Sequence, residues 1–380
     1  MGGDYRKEFF DFEGVAYLNS ANQGPMLRVS AKAAQAGMEW KKLPHTLPED
    51  MYFDLPDRIR EKTARMIGAN ADEIAVTTGA SAGMCHVAAG MNFQSGDEVI
   101  VAQREFPAHF ATWLPYERAG VLRVKVISPR GKFTTAEDYI EQIGPRTRLV
   151  SASLVRFDNG VRLDAARLAE KCHAAGALLL LDITQAAGAI PASIRETGAD
   201  FAVGSGYKWL LGPYGTGYFW VKRERIEQLS LGAAYWMAVE GSRKFDTLPM
   251  EGMRLTPGAR RWDTAETASF TQLMAWDAAL DFLLQIGIDA ISQHREELVQ
   301  EVVERLPRDR CGLVSPLEKE RRGPFVCISA RKAEENRALY QKLREAGVIV
   351  SLREGALRIA PFLHNTSEDV NKLVKVLSVV

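Results

Sequence analysis

The chain has 380 residues, 46% hydrophobic and 25% charged, with 48 Lys+Arg balancing 48 Asp+Glu. That length suits one large domain plus a smaller one, and the balance leaves no global field for a polyanion, so neither nucleic acid nor an anionic membrane surface is an expected partner. No apolar stretch approaches the ~20 residues a membrane span needs, and Cys85, Cys172, Cys311 and Cys327 are too scattered for a zinc or redox motif, so reduced thiols are expected.

Along the chain, Met1–Lys7 carries charge and no apolar core, so a secretory leader is not expected and the cytoplasm is the default compartment. Between about residues 70 and 222, short β-rich runs alternate with helical patterns, the signature of a parallel α/β sheet. Strands are predicted at 73–77, 98–102, 122–127, 148–154, 177–182, 200–203 and 217–221, with helices at 81–91 and 164–175. Residues 232–265 lose this rhythm and read as a long irregular connection of the kind that is usually functional or interfacial. A helix over 267–285 follows. A second α/β pattern then has helices at 291–305 and 334–346, strands at 325–330, 348–351 and 356–359, and a closing helix from Glu368.

Several of these elements end in residues suited to chemistry. Lys208, in Gly204-Ser-Gly-Tyr-Lys-Trp-Leu-Leu-Gly-Pro213, stands between Tyr207 and Trp209-Leu-Leu, poor company for a solvated charge. An amine in such a run can lose its proton and condense with an aldehyde. Asp182 closes the apolar run Leu178-Leu-Leu-Leu-Asp182, where a carboxylate can hold a proton on a pyridine nitrogen; it serves equally as the N-cap of a following helix. Together they are the two groups that pyridoxal 5'-phosphate chemistry requires. Thr77-Thr-Gly-Ala-Ser-Ala-Gly83 links a strand to a helix and suits a phosphate monoester, or else a tight turn capped by Ser81. Gln185 is placed to reach a ring oxygen, and Phe106 to stack on a planar ring or simply to pack. Glu105 and His109 are one helical turn apart without further ligands, so no metal is expected. Arg358 breaks an apolar run and suits a carboxylate or an ion pair.

The order Thr-Gly-Ala-Ser, Glu-Phe-Pro, Asp-Ile-Thr-Gln-Ala-Ala-Gly, Ser-Gly-Tyr-Lys-Trp, Leu-Arg-Ile-Ala-Pro resembles the class V aminotransferase family, which includes cysteine desulfurases, kynureninase-like hydrolases and isopenicillin-epimerase-like proteins. The resemblance runs from Ala16 to Asn365 and implies the fold type I of pyridoxal phosphate enzymes. That fold has a large domain (16–265) with a mostly parallel seven-stranded sheet, a smaller C-terminal α/β domain (266–380) with segment 1–15 nearby, and a homodimer with interfacial active sites.

It further implies that Lys208 forms the internal aldimine, Asp182 pairs with the ring nitrogen, Gln185 approaches the ring hydroxyl and Phe106 stacks on the ring. Ala80, Ser81, Ser205 and Tyr207 would hold the phosphate, and Arg358 the carboxylate of an amino-acid substrate. Val348–Gly355 lacks the cysteine that desulfurases carry there, which disfavours persulfide chemistry. Arg261-Trp-Asp-Thr-Ala-Glu-Thr267 departs from the family's Gly-Thr, leaving Thr264 or Thr267 for the partner subunit's phosphate site. Arg156 and Asn159 are candidates facing the ring, and Asn22 and Trp236 candidates for lining the substrate pocket, though packing accounts for that pair more simply. The expected activity is an amino-acid transaminase, with an α,β-lyase as the alternative and a non-catalytic binding module as the reading from another class.

Overall fold

The computed structural model describes residues 5–248, 251–267 and 269–379. Pro249 and Met250 of the irregular connection, Ala268 of the helix expected over 267–285, and the extremes of the 1–15 segment and the 266–380 domain lie outside the described residues.

Seven strands form one sheet in the order Ile74–Thr77, Gly217–Val221, Phe201–Ser205, Leu178–Asp182, Thr147–Ser153, Asp97–Ala102, Leu122–Ile127. Gly217–Val221 runs antiparallel to both its neighbours, and every other pairing is parallel. The apolar runs are continuous because both faces are covered: Leu179 and Leu181 enter one hydrophobic core while Leu180 enters the other. The helix Ala165–Ala174 starts at Asp164, whose carboxylate accepts the Arg167 N–H at 3.2 Å. The antiparallel strand has a consequence for the site. Thr77 and Ser205 both pair with Gly217, so the strand ends bearing Gly79 and Lys208 lie side by side.

The second sheet is antiparallel, in the order Ser351–Arg353, Ala356–Ile359, Val326–Ala330, Cys311–Leu313. The run expected at 348–351 divides. Val348–Ile349 leaves this sheet to pair in parallel with Ala16–Tyr17, so Ala16 and Leu18 join the core built by the C-terminal helices. The helix Phe270–Ile286 packs on Arg28–Lys42 and Met51–Ile67, two helices not predicted from the sequence.

The segment after Leu18 folds back over the end of the large sheet. Gly24 donates its N–H to the Tyr207 carbonyl at 2.9 Å, and a Cβ there would fall 2.0 Å from the Lys208 carbonyl oxygen. Gly24→Ala should therefore destabilise the protein by about 2–3 kcal/mol, as overpacking against fixed backbone does. Gly131→Ala, with nothing within 4 Å of its Cβ, should stay within about 0.5 kcal/mol of wild type. Urea denaturation of the two variants checks both.

Candidate active site

Lys208 sits in a tight turn rather than a helix. Leu211 returns its N–H to the Lys208 carbonyl at 3.2 Å and Gly212 bonds the Gly206 carbonyl at 2.9 Å. Leu211 takes φ +54, a left-handed conformation uncommon for a side chain of its size. The amine is 9% exposed, with its Nζ 5.5 Å from the Phe106 ring centroid and 5.6 Å from that of Tyr207. Among the described residues it has no hydrogen-bonded acceptor. Burial pushes its pKa down to about 8; Asp182 works against the shift, and Arg358 and Arg353 add to it.

Asp182 lies at the end of its strand as expected, but no helix follows, which removes the N-cap reading. Its Oδ1 accepts the Thr184 N–H at 2.8 Å, and its Oδ2 is 4.0 Å from His109 Nε2. Ser205 accepts the Ala80 N–H on its Oγ at 3.3 Å. Ala80 opens the helix Ala80–Gly90 with Gly79 before it at φ +157, and neither a capping side chain nor an acid occupies its first turn; Ser81 is inside the helix, not its cap. Gln185 is buried with both amide ends engaged, donating to the Ala21 carbonyl at 3.0 Å and accepting from Trp209 Nε1 at 2.8 Å. Phe106 is 40% exposed and meets Phe157 edge-on at 5.5 Å. The Tyr207 ring lies 4.6 Å from that of Tyr214, itself 71% exposed.

Arg358 is 2% exposed. One Nη donates to the Phe157 carbonyl at 3.0 Å, while its buried Nε has no partner. Burial holds its pKa down at about 10. Cys327, its cross-strand neighbour, is fully buried with its thiol pushed up to about 12, the state of an inert sulfur.

Other candidates are placed elsewhere or otherwise occupied. Arg156 bonds Asp158 and the Gln103 and Arg104 carbonyls, and Asn159 accepts the Val161 N–H, so both brace the loop. Thr264 bonds the Val76 carbonyl through its N–H, and Thr267 is buried. Asn22 accepts from Arg353 Nη2 at 2.9 Å. Arg353 itself escapes sequence reading, because only the hairpin Ser351–Ile359 carries it towards Arg358 and Lys208.

With this geometry in view, comparison with known proteins is informative. The family model described as aminotransferase class-V matches residues 43–373. Isopenicillin N epimerase of Streptomyces clavuligerus is 28% identical over 96% of this chain and 94% of its own. Kynureninase of Bacillus mycoides is 24% identical over 98% and 90%. Among solved structures, a cystine C–S lyase in complex with its product cysteine persulfide superposes with a TM-score of 0.87 at 19% identity, over 96% of this chain and 97% of that one. The chain belongs to the class V aminotransferase family and is a pyridoxal 5'-phosphate enzyme of fold type I.

The residues present fit that cofactor. A helix N-terminus free of acids, its first N–H met only by the Ser205 hydroxyl, suits its phosphate, a buried carboxylate its ring nitrogen, and a desolvated, acceptor-free amine its aldehyde. Only the neutral amine attacks an aldehyde, so cofactor uptake by the apoprotein should rise with pH about a midpoint near 8, not near 10.5 as for a solvated lysine. The sign of the stability effect follows from the same shift. Between about pH 8 and the unfolded lysine value, the unfolded chain binds the extra proton, so apoprotein stability rises with pH across that window. Denaturation of Lys208→Met apoprotein should lack this component of the slope.

Proposed function

We propose that this enzyme works on the α-carbon of an amino acid, with Lys208 moving the proton and transamination as the net reaction. The observation that carries the α-carbon chemistry is the buried Lys208, whose amine is pushed down to about 8 under the opposing influence of Asp182 and beside the buried Arg358 with its unpartnered nitrogen, while transamination is put first on the name of the matching family model. In this reading, the N–H groups of Ala80 and Ser81 and the hydroxyls of Ser205 and Tyr207 hold the phosphate. Phe106 covers the ring, Asp182 faces the ring nitrogen, and Gln185 turns its second amide hydrogen to the ring hydroxyl. When bound, pyridoxal 5'-phosphate supplies an electron sink next to the α-carbon. Arg358 docks the substrate carboxylate and so fixes which substituent faces Lys208. Lys208 would take the α-proton as a neutral base, which its depressed pKa permits near neutral pH.

A homodimer is part of this reading. Tyr214, beside Tyr207 and 71% exposed, and Trp236, beside Phe245 and 42% exposed, leave apolar surface for a second copy to cover. So is a reducing, cytoplasmic setting, in keeping with four free cysteines, three of them buried. Persulfide desulfuration finds no nucleophile here: Cys327 is inert and Val348–Gly355 has no cysteine.

The test is to incubate the holoenzyme with single amino acids, with and without a keto-acid acceptor. Transamination gives keto acid beyond one equivalent of enzyme only when the acceptor is present. Keto acid and ammonia without acceptor would establish β-elimination instead, and inversion at the α-carbon alone would establish epimerisation. Arg358→Lys should raise KM for the amino acid about tenfold or more, the fork-shaped contact being lost, while cofactor content stays unchanged. Cys327→Ala should retain activity, and its loss would reinstate sulfur chemistry.

A further inference from the structure

Glu105 and His109 play no part in the mechanism above, although both are buried, at 4% and 0% exposure. Among the described residues no group of three or more His, Cys, Asp or Glu could hold an ion. Their contacts lead instead towards Asp182.

Ser153 donates its hydroxyl to Glu105 Oε2 at 2.8 Å and its N–H to Oε1 at 3.1 Å. A serine has one hydroxyl hydrogen, so the same Oγ, 3.4 Å from His109 Nε2, faces that nitrogen as an acceptor. The Asp182 carboxylate, 4.0 Å from Nε2 through its Oδ2, is also an acceptor. Two acceptors at one ring nitrogen put the hydrogen on Nε2. Across the ring, Nδ1 meets the fully buried Ser151 hydroxyl at 2.8 Å, which pins the imidazole on its other edge. Glu105 is itself braced by Tyr139, whose hydroxyl donates at 3.3 Å, and by Arg156 at 3.5 Å, which also pairs with Asp158. The Asp182 carboxylate is thus held at Oδ1 by the Thr184 N–H and faced near Oδ2 by an N–H whose direction the surrounding hydroxyls determine.

We infer that His109 is a positioning residue for Asp182: its Nε2–H, oriented by Ser151, Ser153 and Glu105, steers the carboxylate towards the cofactor's ring nitrogen. This rests on Asp182 facing that nitrogen, as proposed above. The two ideas separate in one experiment, the affinity of apoprotein for pyridoxal 5'-phosphate and for the analogue carrying CH in place of the ring nitrogen. His109→Phe should bind the natural cofactor about tenfold more weakly, ~1.4 kcal/mol, and the analogue as wild type does. His109→Gln, which keeps an N–H donor, should recover most of the loss. If His109→Phe loses both ligands equally, the histidine is merely packing and the inference fails; undiminished affinity for the natural cofactor overturns it as well. Should that variant not fold, Ser151→Ala frees Nδ1 and should give a smaller loss, again confined to the natural cofactor; an equal loss for both ligands, or none, overturns the inference. Asp182→Asn tests the underlying reading. If wild type and Asp182→Asn discriminate equally between cofactor and analogue, Asp182 does not face the ring nitrogen and both ideas fall.

Discussion

The rest of the site depends on the desolvation of one amine. A lysine is a nucleophile and a base only when neutral, and water is what keeps it charged. Here backbone itself excludes the water: Gly24 lies against the Lys208 carbonyl so closely that no Cβ fits, and the turn behind the lysine takes a left-handed residue at Leu211. Arg358 and Arg353 add to the depression while Asp182 opposes it, so the amine settles near the pH at which it would work. A second carboxylate beside Lys208 would favour its charged form and weaken it as a base.

Holding such groups apart from solvent requires a rigid frame, and the large sheet provides it. The strand ends supply Asp182 and Ser205 directly, and the antiparallel Gly217–Val221 draws the start of the helix Ala80–Gly90 up to Ser205. Arg358 comes from the other sheet and the covering segment from the N-terminal part of the chain. Three stretches distant in sequence thus converge on Lys208. The long-range pairing of Ala16–Tyr17 with Val348–Ile349 ties two of them together.

Legibility in the sequence followed from how each element buries its surface. The parallel strands were readable because both faces are covered, so Leu178–Asp182 is apolar throughout until its terminal acid. Lys208 was readable because its neighbours contradict its charge. Arg28–Lys42 was not, since it turns small residues such as Ser30 and Gly37 inward and leaves Val29 and Met38 exposed, so its large apolar residues do not mark the buried face. Met51–Ile67 hides for other reasons: Pro56 lies within it and Arg60 is on its buried side, compensated by Asp263 at 2.6 Å. Such compensation by a residue about two hundred positions away leaves no local trace. The same holds for His109, whose role depends on two serines of a strand that a local reading takes as ordinary sheet.

What distinguishes one reaction from another within this family lies in the least regular parts of the chain. The groups around the expected cofactor are common to transamination, elimination and epimerisation, so they argue for none of these alone. The small sheet is more discriminating. Cys327 and Arg358 are cross-strand partners, and an accessible thiolate there would sit beside the carboxylate that Arg358 is proposed to dock and would open a sulfur route. Instead the sulfur is sealed in the core, its N–H donates to the Ser315 hydroxyl, and burial pushes its thiol up to about 12. The neighbouring hairpin adds a second guanidinium, Arg353, beside Arg358. An extra cation next to Arg358 suits binding and orienting an anion rather than attacking it, in keeping with the proposal that Lys208 does the proton transfer.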